Sequence, residues 1–302
     1  MDLDFVRIEC ECITETPVQL ASALYDALRY FGTHFRDVCC TQPDEACTSC
    51  ANSEGCPYRS VFAQELSPDP EIVRLHQKPA LPFSLYVQAG SGAAVSHCMG
   101  MVVIGRALNH LGMFHAALLK TVHAALSTNE PRACCHPQVF CLDYSGSRHE
   151  ISSSTPVSES VILLSGSDIL RNTVPSDSAR LLISSPLRLL TNGFNAHHFD
   201  FATFFRSQLR RCSSLCAYYG TGEIELDYAG LSEQSDSVAV FNDKITYTHL
   251  PWSRRVNKSG LLGSAECIGL TEQMFPLLLL GSYFNAGKGA TFGSGFHTLE
   301  VL

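Results

Sequence analysis

Near the C-terminus, Gly287, Lys288, Gly289, Gly293 and Gly295 fall within nine positions, behind an apolar run and ahead of an alternating, strand-like one. Glycine has no Cβ, so such a loop admits positive φ and close approach of another backbone. Successive exposed N–H groups beside a lysine form a seat for phosphate oxygens. The order is helix, loop, strand. A P-loop runs the other way, from strand to helix, so a nucleotide hydrolase of that class is disfavoured. The same glycines also suit a loop that does no more than pack tightly against a sheet.

A second group is Cys39-Cys40-x6-Cys47-x2-Cys50-x5-Cys56. Four thiolates, Cys40, Cys47, Cys50 and Cys56, match the ligand count of a closed tetrahedral zinc site. An iron–sulfur cluster uses the same number, and free thiols in a loop fit equally well. Cys134, Cys135, His136 and Cys141 are spaced less regularly and read as core and loop residues.

Histidine is the side chain whose ordinary titration lies nearest neutrality, which suits proton transfer. Among twelve histidines, His34 has the most suggestive neighbours: Asp26, Tyr30 and His34 recur at intervals of four and share a helix face, flanked by Arg29 and Arg36. The plainer reading is a solvated helix face. His110, His115 and His123 do not gather on one face, His197 and His198 precede a helix, and His297 alternates along the last strand, facing ligand or solvent. Arg206 and Arg210 are four apart with Arg211 adjacent, an edge able to clamp phosphate. Arg254, Arg255 and Lys258 follow Trp252 in a turn-rich stretch.

These residues need elements to hold them. Phe5 to Ile13 alternate as a strand does. From Pro17, Leu20, Leu24, Leu28, Phe31, Phe35 and Val38 recur at helical spacing as one buried stripe. The cysteine-rich insertion, about 39–60, follows that helix. Strands are expected at Phe83–Gln88, Met99–Ile104 and Val139–Tyr144, with a helix over Ala107–Leu126. A serine-rich stretch from Ser145 to Ser160 reads as a loop or linker, which places a boundary between about 150 and 178. The second half then runs strand (Leu181–Leu190), helix (Phe199–Tyr218), strands (Val238–Leu250 and Gly263–Leu270), helix (Gln273–Tyr283), glycine loop, strand (Phe296–Val301). That is the βαββαβ order of a ferredoxin-like unit. The expected organisation is an N-terminal domain over 1–165 and a C-terminal domain over 176–302.

The chain has 302 residues, a net charge of −8 and 14 cysteines. Residues 1–175 hold 11 basic and 18 acidic side chains, and residues 176–302 hold 10 and 11. No broad basic surface is implied, so any nucleic-acid contact is local. No apolar run is long enough to cross a bilayer, and the N-terminus lacks the pattern of a signal peptide. The expected compartment is the cytoplasm, where cysteines serve as metal ligands or buried thiols rather than disulfides.

The tail resembles the glycine-rich signature of the CRISPR-associated RAMP proteins, specifically the repeat-processing Cas6 endoribonucleases. Their pattern is G-x5-GKG-x2-FG-x-G; here it reads Gly281, then Gly287-Lys288-Gly289, then Phe292-Gly293-Ser294-Gly295. SSPLRLL from Ser184, FFRSQLRRCSSL from Phe204 and PWSRRVNKSGLLGSAECIG from Pro251 fall where that family has comparable segments, and Cys56-Pro57-Tyr58 matches the end of a cysteine element often found after its first helix. The resemblance implies two tandem ferredoxin-like (α+β) domains. It implies metal-independent cleavage within CRISPR repeats, leaving 2′,3′-cyclic phosphate and 5′-hydroxyl ends, with no catalytic cofactor. It implies a catalytic histidine from the first helix, here His34 with Tyr30 assisting. RNA contacts fall to Gly287, Lys288, Gly289, Gly293, Gly295, Arg206, Arg210, Arg254, Arg255 and Lys258. Expected partners are repeat RNA and other CRISPR-associated proteins, with no membrane, and the cysteine element is expected to be a zinc staple. The same fold also serves as a non-cleaving RNA-holding subunit, and a metal-stapled interaction module is a third alternative.

Overall fold

The computed structural model describes all residues except 1–2, 15–16, 48, 53, 64, 78, 91–94, 128–136, 153, 192, 223–225 and 251–258. It divides into two compact units, Asp4–Leu164 and Met1–Leu3 with Ser165–Leu302.

In the first unit the order is β1 (Asp4–Thr14), α1 (Pro17–Ala27), α2 (Phe31–Cys39), α3 (Pro57–Phe62), α4 (Pro70–Leu75), β2 (Phe83–Ala89), β3 (Val95–Ile104), α5 (Leu111–Ser127), β4 (Gln138–Leu142) and β5 (Arg148–Glu150). A two-residue strand, β6 (Leu164–Ser165), pairs with β1. The sheet runs β2-β3-β1-β4-β5, with antiparallel neighbours. This is the strand order of a βαββαβ unit extended by one edge strand. Alternation along β1 sends Val6, Ile8, Cys10 and Cys12 to one face and Arg7, Glu9 and Glu11 to the other. On the charged face Arg148 donates to Glu9 and Glu11, each at 2.8 Å, and the Tyr86 hydroxyl donates to Glu9 at 2.9 Å.

The expected single helix from Pro17 to Val38 is broken: a 3-10 turn at Leu28–Tyr30 separates α1 from α2. The apolar stripe continues across the break, so periodicity alone does not reveal it. The cysteine-rich segment lies between α2 and α3. Two short helices of this unit, α3 and α4, have no signal in the sequence, because six residues are too few to show an apolar period and each only opens on a proline. In α4, for example, the Asp69 carboxylate accepts from the Glu71 N–H at 2.9 Å and Pro70 opens the first turn.

The second unit adds α6 (Gly166–Asn172), β7 (Ser178–Leu187), β8 (Leu190–Thr191), β9 (Phe194–Asn195), α7 (Phe201–Tyr219), α8 (Tyr228–Ser235), β10 (Ala239–Phe241), β11 (Thr246–His249), β12 (Ser259–Ile268), α9 (Met274–Tyr283) and β13 (His297–Val301). Its sheet runs β10-β12-β7-β13, with β11 also on β12. The chain therefore carries two tandem ferredoxin-like folds. Leu181, Ile183, Phe204, Phe205, Leu277 and Leu278 lie in the core beneath α7 and α9. The strand expected over Val238–Leu250 is two strands. Asn242 takes a left-handed φ of 45° and Asp243 accepts from the Ile245 N–H at 2.8 Å, which turns the chain out of line. Among the described residues, no helix is long and apolar enough to cross a membrane.

Candidate active site

Helix α2 is held by aromatic packing. The rings of Phe35 and Phe114 are 4.7 Å apart, and Phe31 lies 5.2 Å from Phe83. Phe31, Phe35, Phe83 and Phe114 are all fully buried, each contributing about 1.5–3 kcal/mol of burial. With Phe35 pinned in the core, its neighbour His34 lies along the seam between α2 and α5, half-buried rather than on a fully solvated face. His34 Nδ1 is 2.8 Å from the Thr121 hydroxyl, which donates to the Ala117 carbonyl at 2.7 Å.

The adjacent residue on α5, Lys120, pairs with Asp37 of α2 at 2.8 Å. Desolvation holds the His34 pKa below its ordinary value; the Lys120 charge lowers it further and Asp37 partly opposes. Tyr30, in the 3-10 turn, is 45% exposed, and its ring centre is 6.4 Å from that of His34. The Arg29 guanidinium lies 4.4 Å over the Tyr30 ring and donates to its hydroxyl. The result is a neutral imidazole beside an exposed phenol and two cations, suited to proton transfer on an anionic substrate.

Lys120 and Thr121 were not among the residues expected from sequence. Thr121 had a legible signal. It is the one hydroxyl within the buried stripe Phe114, Ala117, Leu118, Thr121, Val122 and Ala125 of α5, and a buried hydroxyl needs partners. Lys120 had none, being one lysine on a helix surface.

Much of the glycine loop is bonded internally. The N–H groups of Ala286, Lys288, Ala290, Phe292, Ser294 and Gly295 all donate to backbone carbonyls, and that of Phe296 donates to the Ser185 hydroxyl. Two contacts seat the loop on the end of β7: Lys288 N–H to Arg188 O at 2.8 Å and Gly295 N–H to Pro186 O at 3.1 Å. A Cβ at Gly287 would meet Arg188 O at 2.6 Å, and one at Gly295 would meet Ala286 O at 2.0 Å, both at positive φ. Close backbone approach is therefore what these two glycines provide. Gly289 and Gly293 also take positive φ. The Lys288 side chain alone projects as an exposed cation from the loop. Arg188, beneath it, donates to the Ser294 hydroxyl at 3.1 Å.

Arg206 is occupied by structure. It donates to the Ser232 hydroxyl at 2.6 Å and to both Asp236 oxygens at 2.6 Å, fixing α8. Arg211 donates to the Phe284 carbonyl at 2.7 Å, capping α9, and desolvation pushes its pKa down to about 10. Arg210 is exposed. Arg254, Arg255 and Lys258, with Trp252, lie outside the described residues, as do Cys134, Cys135 and His136. His297 faces neither ligand nor solvent. It is buried, its Nδ1 2.8 Å from Gly295 O and its Nε2 2.6 Å from the Gln208 amide, and burial pushes its pKa down to about 4. The His197 ring lies 4.1 Å from that of Tyr247.

Cys40, Cys47, Cys50 and Cys56 do not form the expected ligand set. Among the described residues, no three His, Cys, Asp or Glu side chains are grouped as metal ligands. The Arg36 guanidinium donates to the Pro43 and Glu45 carbonyls and lies 6.0 Å over the Tyr58 ring, next to the Cys40 and Cys47 thiols.

Comparison with known proteins bears on both units. Residues 3–151 match the AF_1859 N-terminal domain family, and residues 181–296 match the family of CRISPR-associated endoribonuclease Cas6. No curated protein matches the chain. Three solved structures share its fold at low identity. A Cas6 product complex is 12% identical with a TM-score of 0.53, covering 99% of this chain and 100% of that one. A Cas6 substrate-mimic complex is 16% identical with a TM-score of 0.50, covering 98% and 99%. Thermus thermophilus Cas6 is 12% identical with a TM-score of 0.50, covering 99% of each. Residues 181–296, a C-terminal ferredoxin-like unit that ends in the glycine-rich signature, thus match the family of CRISPR-associated endoribonuclease Cas6, and the whole chain shares the fold of solved Cas6 structures.

Proposed function

We propose that this chain cleaves CRISPR repeat RNA in a longer precursor to release guide units, without a catalytic metal or other cofactor. The match of residues 181–296 to the Cas6 family, and the fold shared with a Cas6 substrate-mimic complex, support the substrate class. The observation that carries the chemistry is the cluster of His34, Tyr30 and Lys120 on one face of the first unit. His34 Nε2, the ring nitrogen not engaged by Thr121, takes the proton of a ribose 2′-hydroxyl. The 2′-oxygen forms a bond to the adjacent phosphorus as the bond to the 5′-oxygen breaks; that oxygen takes a proton from solvent water, and His34 afterwards returns the proton it took to solvent. The products are a 2′,3′-cyclic phosphate and a 5′-hydroxyl. Lys120 offsets the charge that builds on the phosphoryl oxygens, and Tyr30 orients the reacting ribose. Lys288 and Arg210, together with Arg254, Arg255 and Lys258, supply phosphate contacts.

The test uses the purified chain with repeat RNA from the adjacent array, in EDTA. Cleavage is expected to persist, with cyclic-phosphate ends. His34→Ala is expected to lower the rate by about 10²–10⁴-fold with repeat binding retained. Tight binding with no cleavage would instead identify a non-catalytic RNA-holding subunit.

A further inference from the structure

The geometry points to Thr121 as a positioning residue that fixes which nitrogen of His34 carries the proton. This rests on the reading of His34 as the base. A threonine hydroxyl has one hydrogen and two acceptor sites. Thr121 is completely buried, and its hydrogen is committed to the Ala117 carbonyl at 2.7 Å, the i−4 bond usual for a threonine inside a helix. Toward His34 Nδ1, at 2.8 Å, it has only a lone pair to offer. Nδ1 must then be the donor, and the neutral ring is the Nδ1–H tautomer with its free lone pair on Nε2. Histidine free in water favours the opposite tautomer, so without Thr121 most neutral rings would present a hydrogen where the base needs a lone pair. The bond also holds the ring plane along the α2/α5 seam.

The other charged or titratable groups facing this ring are Asp37 on α2, Lys120 on α5, and Tyr30 and Arg29 in the preceding 3-10 turn. Asp37 and Lys120 are bound to each other, and Tyr30 to Arg29. In the structure none of these occupies Nδ1, so the tautomer is set by the hydroxyl.

The experiment pairs Thr121→Val, which keeps the side-chain shape, with Thr121→Ser, which keeps the hydroxyl. The first readout is ¹⁵N NMR of the His34 ring in the protein without RNA, above its pKa. The second is kcat and KM for repeat cleavage on the alkaline plateau. The wild type is expected to show protonated Nδ1 and bare Nε2. Thr121→Val is expected to shift the ring toward protonated Nε2 and to lower kcat about tenfold at unchanged KM; Thr121→Ser is expected to restore both. Protonated Nε2 in the wild type, an unchanged tautomer in Thr121→Val, or no recovery in Thr121→Ser would each overturn the assignment. The NMR readout needs no cleavage. A protein that fails to cut RNA would refute the proposed reaction, and the spectrum would still decide the role of Thr121.

Discussion

His34 stands between opposite charges, Lys120 on α5 and Asp37 on its own helix. Each biases its protonation in a known direction. Burial and Lys120 disfavour the imidazolium, so the pKa lies below the ordinary 6.5 and the ring is largely neutral at pH 7. A general base works from its neutral form. The acid limb of the kcat–pH profile should therefore fall below pH 6.5 in the wild type. Lys120→Met removes a repelling charge and should move that limb up; Asp37→Asn removes a stabilising one and should move it down. Each displacement should be roughly half a pH unit, because partly exposed charges couple by only ~0.7 kcal/mol. A limb that stays in place in both variants would mean that another group is being titrated. His34 and Tyr30 were legible in the sequence because helical spacing put them together, and they remain neighbours despite the 3-10 break. Lys120 was illegible because its relation to His34 spans 86 positions, and nothing local marks it.

The glycine-rich loop shows the same division between elements. Its glycine spacing marks a special backbone in the sequence, but not which partner that backbone approaches. The partner is the end of β7, about a hundred residues earlier, and the Ala286, Lys288, Ala290, Phe292, Ser294 and Gly295 amides are spent on internal bonds. A structural loop with one exposed cation has separable variants. Gly295→Ala forces a Cβ to within 2.0 Å of Ala286 O at a φ of 66°, and should destabilise the fold by about 2–4 kcal/mol in urea unfolding. Lys288→Ala should leave stability within about 0.5 kcal/mol and weaken repeat binding instead. Equal stability of Gly295→Ala and wild type would contradict the packed-loop account. The strand that follows begins with His297, neutral and buried. Its pKa falls from 6.5 in the unfolded chain to about 4 in the fold. The unfolded state thus binds more protons between those values, and stability drops as pH falls through that window. The loss from pH 7 to pH 4 should be about 3 kcal/mol from this group. His297→Gln, which keeps a polar partner for Gln208, should show a correspondingly flatter dependence. An equally steep loss in that variant would assign the acid sensitivity elsewhere.

Across the whole molecule the tandem βαββαβ order was readable because each unit repeats a strand–helix–strand pattern with distinct periods. The short helices and the split strand were not, since six residues show no apolar period and a left-handed asparagine turns the strand. Charge is a further whole-molecule property, and it limits how RNA is held. The net charge is −8, with the surplus of acid in residues 1–175. Arg206 is bound to Asp236 and Arg211 to the Phe284 carbonyl. The cations assigned to substrate are Lys120, Arg210, Lys288, Arg254, Arg255 and Lys258. If all of them neutralise phosphates, the slope of log K against log salt should be no steeper than about −4 on single-stranded RNA or −5 on duplex. Removing any one, such as Lys288, should flatten it by a little under one. Binding measured over a salt series decides this. A much steeper slope would require a basic surface that this composition does not supply, and a slope near zero would leave the phosphates untouched and remove the basis for RNA binding by these residues.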